Sequence, residues 1–290
     1  MLKTLTKGDE VLITSPSTYK ENKNNFLEGI EILESWGLSI IHNDLLSKKY
    51  GYLAGSDATR FKDLMEAENY KLMIFSNGGW GSARLLELSP KWVDSWMLGF
   101  SDTCSLLLSK YANGCMGSIH GPMVSNLSKE PEWSINRLKN LLFDGYVEDL
   151  EGKTIKKGVA QGEIVVSNLT IASFLIGTNH FPDVNGKIII FEDINEELYK
   201  IDRMLTYWRL SKKLANVAGI GFGSFNAKTT NLEEKQIFEE LIYESFKEYN
   251  IPIISNLPIG HISGNACIPY GFQAMLDGNK GTLRVHVNLD

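Results

Sequence analysis

Short apolar, β-rich runs alternate with segments of helical period through the first half of this chain, and that rhythm constrains the fold more than any other feature. Consecutive strands separated by a helix share a sheet when they run parallel, with the helices crossing over its faces. Glu10–Ser15 reads as a strand that ends in the loop Ser15-Pro16-Ser17. Asn25–Trp36 carries Phe26, Ile30, Ile32 and Leu33 at helical spacing and stops at Gly37. Leu38–Ile41 is a second strand, residues 57–69 a helix and Lys71–Phe75 a third strand. A fourth, Trp96–Gly99, precedes a helix that reaches Tyr111. In such sheets functional groups collect at the carboxyl ends of the strands. Ser15, the Asn77-Gly78-Gly79 turn and Ser101 all follow strands, so they are expected at one edge.

The rhythm changes after residue 145. Residues 146–158 are charged and glycine-bearing, with little apolar periodicity, and read as a linker. Beyond them Gly162–Val166 and Lys187–Phe191 read as strands, residues 169–176, 196–214 and 232–249 as helices, and the C-terminal stretch as short β runs between Gly and Pro. The expected architecture is α/β in two domains: an N-terminal doubly wound parallel sheet over residues 1–145 and a C-terminal mixed α/β domain over 159–290. A chain of 290 residues with 43% hydrophobic content can bury cores of that size. Its 29 basic and 35 acidic residues give a net charge of −6 without a basic block, which argues against nucleic acid or a membrane surface as partner. No secretory h-region and no apolar run of membrane-spanning length is present, so a soluble cytoplasmic protein is expected. Cys104, Cys115 and Cys267 form no Cys-x-x-Cys pair and read as buried free thiols.

Three places join a reactive residue type to a strand end. In Gly99-Phe100-Ser101-Asp102-Thr103 a strand breaks at a serine and reopens as a helix, a turn that presents a nucleophile beside free backbone N–H groups. The same serine would also serve as a plain helix cap. In Phe191-Glu192-Asp193-Ile194 two carboxylates follow an apolar strand, suited either to orient a base or to complement a helix N-terminus. In Gly260-His261-Ile262-Ser263-Gly264-Asn265 a histidine sits in a glycine-rich loop, as a base or as a hydrogen-bonded scaffold residue. Hydrolysis by serine requires a base for the hydroxyl proton and a carboxylate to hold that base in one tautomer. His120, in Ser118-Ile119-His120-Gly121-Pro122, competes with His261 for the base role. The loop Asn77-Gly78-Gly79-Trp80-Gly81-Ser82 can offer backbone donors to an anion but lacks the lysine of a phosphate-binding loop. No metal-ligand spacing stands out, and neither metal nor cofactor is expected.

Taken in order, these motifs resemble the LD-carboxypeptidase family. The resemblance is carried by Gly78-Gly79-Trp80-Gly81 with Arg84-Leu85-Leu86, Gly99-Phe100-Ser101-Asp102 and His120-Gly121-Pro122-Met123. It continues through Asn168-Leu169, Leu175-Ile176-Gly177-Thr178, Phe191-Glu192-Asp193, Tyr199-x-Ile201-Asp202-Arg203-Met204-Leu205 and Gly260-His261 with Asn265 and Pro269-x-Gly271. That family uses a Ser–Glu–His triad on a two-domain fold whose second domain is of the swivelling type. The resemblance implies Ser101 as nucleophile, His261 as base and Glu192 as orienting acid. It further implies an oxyanion hole from the N–H groups of Asp102 and Gly79, with Asn77, Gly78 and Trp80 lining the substrate site. The implied substrate is a murein-derived peptide, cut at an L-residue–D-alanine bond during cell-wall recycling by a cytoplasmic homodimer. Two other functions fit the same residues: an immunity-type hydrolase acting on a peptidyl- or aminoacyl-nucleotide conjugate, and a binding module with an inert serine. Two departures from the family pattern stand out. Asn77 occupies a position where arginine commonly precedes the double glycine, and Val166-Ser167-Asn168-Leu169 replaces Gly-Gly-Asn-Leu.

Overall fold

Strands flanked by helices on both sides must be apolar along their whole length, and the first sheet follows that rule. The structure, a computed structural model, describes residues 2–42, 48–226 and 232–289. The first sheet contains β1 (Glu10–Thr14), β2 (Ser39–His42), β3 (Leu72–Phe75), β4 (Trp96–Gly99) and β5 (Ser118–His120), all parallel, in the order β5-β4-β3-β1-β2. Leu12, Ile13, Leu72, Ile74 and Leu98 are fully buried there. The helices of this half are α1 (Asn24–Ser35), α2 (Asp57–Met65), α3 (Cys104–Ala112), α4 (Val124–Leu127) and α5 (Glu132–Asp144). The strand order reverses between β1 and β3, so the loops after them part and leave a crevice at their carboxyl ends.

The second sheet comprises β6 (Leu150–Glu151), β7 (Lys153–Lys156), β8 (Val159–Asn168), β9 (Ile188–Ile194), β10 (Gly219–Asn226) and β11 (Ile253–Ser255). Beyond the two-residue β12 (Ile268–Pro269) come its last members, β13 (Gln273–Asp277) and β14 (Thr282–His286). Four parallel strands, β8-β9-β10-β11, form its centre, and antiparallel strands flank them. The helices α6 (Leu169–Leu175), α7 (Leu198–Leu210) and α8 (Leu232–Phe246) belong to this half. The chain is therefore α/β with two sheets, as the alternation implied.

Four features differ from the sequence reading. Residues 146–158 hold β6 and β7, which close opposite edges of the second sheet. The helix expected over 196–214 is regular only over Leu198–Leu210 and then breaks into turns, with Lys212 at φ 57°. Cys115 is half-buried, whereas Cys104 and Cys267 are buried. Finally, β12 does not stay with the second sheet: it pairs antiparallel with β5, Ile268 opposite His120, and so completes the first. No helix among the described residues is long and apolar enough to cross a membrane.

Candidate active site

Ser101 holds φ 62°, a left-handed conformation that costs an L-residue roughly 1–2 kcal/mol. That strain comes from the turn itself. The chain leaves β4 at Gly99, reverses at Ser101 and enters a single 3-10 turn, Ser101–Thr103, before α3. A β-carbon on Gly99 would lie 2.4 Å from Thr103 Oγ1 and 2.5 Å from Phe75 Cδ2, so only glycine fits there. Thr103 uses the hydroxyl that crowds Gly99 to bond Phe100 O at 2.8 Å, closing the turn. The N–H groups at the start of a helix have no partner within it, which leaves those of Ser101 and Asp102 available to an oxyanion.

Glu192 and His261 arrive from the second half. Glu192 lies on β9, opposite Asn168 in the register with β8, and is wholly buried. Its Oε2 sits 2.7 Å from His261 Nδ1. Burial by itself would raise the Glu192 pKa, but its contacts with His120 and His261 outweigh that and hold the carboxyl well below the usual carboxylate range. An ionised carboxylate accepts only, so Nδ1 of His261 carries the proton and Nε2 the lone pair. Gly260, at φ 113°, lets the loop pass against the acid: a β-carbon there would fall 2.7 Å from Glu192 Oε2. Its N–H donates to Asn265 Oδ1 at 2.8 Å, and the N–H groups of Gly264 and Asn265 both donate to Glu130 Oε2. The Phe100 ring, next in chain to Ser101, lies 4.8 Å from the His261 ring. The turn that carries Ser101 and the loop that carries His261 thus approach each other through Phe100, where the two halves join. His120 is fully buried beyond Phe100, with its ring 5.7 Å from that phenylalanine.

The neighbouring Asp193 has a different task. It accepts from Asn168 Nδ2 at 3.0 Å and from Thr170 N and Oγ1 at 2.9 and 2.8 Å, fastening β9 to the start of α6. Burial first, and then the charge of Glu192, push its pKa up to about 6.

The loop after β3 supplies the opposite wall. Gly78 packs on the nucleophile, since a β-carbon there would stand 3.1 Å from Ser101 Oγ. Gly79, at φ 122°, is held against Thr18, whose Oγ1 accepts from Trp80 N at 2.9 Å. Asp102 is buried and its Oδ2 accepts from Ser17 Oγ at 2.6 Å and Ser82 N at 2.9 Å, which ties the loops after β1 and β3 to the turn at Ser101. Trp80 is half exposed and meets Phe174 of α6 edge to face, with centroids 5.8 Å apart. Asn77, expected to face substrate, turns inward instead. Its Nδ2 donates to Thr18 O at 2.8 Å and Gly78 O at 2.7 Å, and its Oδ1 accepts from Ser76 Oγ, so its polar atoms hold the loop together.

Two groupings therefore emerge: Ser101 against Gly78 in the first half, with Asp102 tying the neighbouring loops, and Glu192 with His261 in the second, linked through the Phe100–His261 ring contact. Sequence reasoning missed Glu130, Asp193 and Phe100 as supports of the site. Glu130 had no legible signal, because it lies in a different half from the loop it holds. Cys104 Sγ, a His120 ring nitrogen and a Glu192 oxygen also converge within 4.8 Å, a donor set able to take a soft divalent cation. Burial pushes the Cys104 thiol up, which keeps it protonated in an unliganded site.

Residues 11–121 match the model of the LD-carboxypeptidase N-terminal domain, and residues 161–276 that of the LD-carboxypeptidase C-terminal domain. A Synechocystis protein named by inference as a carboxypeptidase is 38% identical, over 96% of this chain and 95% of its own. A Bacillus subtilis protein named, also by inference, as a murein peptide carboxypeptidase is 30% identical over 97% and 92%. Among solved structures, an MccF-like protein from Bacillus anthracis superposes with a TM-score of 0.88 at 22% identity, covering 99% of each chain.

Proposed function

Since the chain belongs to the LD-carboxypeptidase family, we propose that it is a serine-type carboxypeptidase that frees the terminal D-alanine from an L-residue–D-alanine bond of murein-derived peptides. The observation that carries this reading is the 2.7 Å bond from His261 to Glu192, beside a serine strained into a strand-to-helix turn. Glu192 fixes the tautomer, His261 Nε2 takes the Ser101 proton, and Oγ attacks the scissile carbonyl. The tetrahedral oxyanion is met by the N–H of Asp102 and by an N–H of the Gly78-Gly79 turn. His261 then gives its proton to the leaving amine, D-alanine departs, and water, activated by the same histidine, releases the acyl group. Glu192 enters this cycle already ionised, so it steadies the imidazolium without exchanging a proton.

The name of the B. subtilis relative supports a murein peptide as substrate. A groove of about 700 Å³ between α6 and α7, lined by Thr170, Phe174, Lys200, Arg203 and Tyr207, borders the Trp80–Phe174 contact through Phe174.

The test is turnover of a murein tetrapeptide, a pentapeptide and an aminoacyl-nucleotide conjugate by the native protein and by Ser101→Ala. Native activity is expected on the tetrapeptide, with kcat of the variant reduced about 10⁴-fold or more. A fluorophosphonate reagent is expected to label the native protein at Ser101. Turnover of the variant near the native rate would overturn the serine mechanism, and turnover of the conjugate alone would overturn the substrate.

A further inference from the structure

A second histidine reaches the acid of the site from the side opposite His261. His120 lies on β5 between β4 and β12, paired with Gly99 and Ile268, and is wholly buried. Among the described residues neither of its ring nitrogens has a hydrogen-bond partner, and neither does Oε1 of Glu192. These orphans face one another, with Nε2 3.8 Å from Oε1. A buried polar group left unsatisfied costs about 1–3 kcal/mol, so a histidine here is retained at a penalty unless the two groups serve each other. The groups facing the His120 ring are Glu192 from β9, Cys104 from α3 and the Phe100 ring. Tyr270, directly after β12, is buried close to Cys104 and Glu192, and burial first and then those two groups push its hydroxyl pKa up. His261 bonds the other oxygen of Glu192, and Asp193 points away into the α6 cap.

Resting on the triad reading above, we propose that His120 is a positioning residue that restrains Oε1 of Glu192 so that Oε2 stays on Nδ1 of His261 throughout turnover. An ionised carboxylate can only accept, which makes Nε2–H the donor. Closing the gap to an ordinary hydrogen bond takes a movement of about 0.9 Å. Catalytic contacts commonly tighten by that order between the free enzyme and the substrate complex. As positive charge develops on His261, a carboxylate held at one end only could rotate and break the 2.7 Å bond. A donor on the second oxygen removes that freedom.

The test is a kinetic cycle on the tetrapeptide with His120→Leu, His120→Gln, Glu192→Gln and the His120→Leu, Glu192→Gln double variant. Glutamine places an N–H near the position of Nε2; leucine places none. His120→Leu is expected to lower kcat by about 10- to 100-fold with KM within about twofold. His120→Gln is expected to restore most of kcat. In the Glu192→Gln background His120→Leu is expected to cost less than about threefold, because the group it acts through is already impaired. Equal losses in both backgrounds would overturn the positioning role. Should His120→Leu fail to fold, the contrast between His120→Gln and His120→Asn, whose amide lies nearer Nδ1, decides instead: equal kcat for the two overturns it. A Glu192→Gln variant with native kcat would overturn the triad reading rather than this one.

Discussion

Ser101 and Gly78 touch across a gap sized for a hydrogen atom on one side. Because Gly78 lacks a left-handed φ, alanine is compatible with its backbone, and the new methyl would press on the nucleophile at 3.1 Å. Gly78→Ala is expected to fold with a melting temperature close to native while kcat/KM falls about 10-fold or more, since sub-ångström misplacement of a reacting group is costly. Equal melting temperatures and equal kcat/KM would show that the oxygen of Ser101 attacks from elsewhere. Gly260 is a harsher position. It holds φ 113°, and its missing β-carbon leaves room for the Glu192 carboxylate. Gly260→Ala is expected to lose about 1–3 kcal/mol of stability in denaturant melts and most of kcat together. Asp193 adds a pH signature. Its pKa, raised to about 6 from 3.8, makes the folded state bind a proton that the unfolded chain has released. The stabilisation is complete below pH about 4 and is lost as pH rises through about 6. Melting temperatures of the native protein and Asp193→Asn, followed from pH 4 to 7, are expected to show the native advantage shrinking as pH rises. A difference constant with pH would show that Asp193 is ionised throughout.

At the scale of elements, the acid of the site is held by a strand-to-helix joint. Asn168 ends β8 and caps α6, its Oδ1 accepting from Ile171 N at 3.1 Å while its Nδ2 reaches Asp193. Removing this side chain cuts both ties, so Asn168→Ala is expected to cost about 1–2 kcal/mol in melts and to lower kcat, through the strand that carries Glu192. The elements of the first half were legible because parallel strands buried on both faces leave apolar runs, as in Leu72–Phe75, and because Gly37 ends α1 chemically. The candidate residues Ser101, Glu192 and His261 stood out in the sequence as reactive types at the end of an apolar run or in a glycine-rich loop, although Glu192 lies within β9, opposite Asn168. Other parts left no local trace. β7 reads Lys-Thr-Ile-Lys, half exposed at a sheet edge, and lacks the alternation of a strand with one clean buried face. β12 is two residues long and owes its existence to the partner waiting at β5. Asn77 was placed toward substrate by its neighbours in sequence; the carbonyl of Thr18, which draws it inward, is contributed by a loop 59 positions away.

For the molecule as a whole, the two halves interlock more than they abut. The loop bearing His261 leads into β12, which enters the first sheet, and the chain then returns to the second at β13. Arg137 on α5 donates to Cys267 O at 3.1 Å, Trp96 on β4 stacks on Phe272 at 6.3 Å, and Tyr270 bonds Val166 O. Docking of the halves and alignment of Ser101 with His261 are therefore one event. Residues 2–145 expressed alone are expected to aggregate, with β5 exposed as an unpaired edge, and to become soluble when residues 146–290 are co-expressed. Recovery of a soluble, folded fragment by itself, seen as a single monomer peak on a sizing column, would contradict this.

That borrowed strand also sets a clock during manufacture. A ribosome adding roughly 5–20 residues each second completes β5 roughly seven to thirty seconds before Ile268 emerges to cover it. For nearly all of that interval the nascent polypeptide has Ser101 but not His261, and it displays a bare ribbon edge to the surrounding cell. Peptide-bond cleavage is thereby withheld until synthesis is nearly finished, and the same delay makes this the period when a chaperone has most to protect.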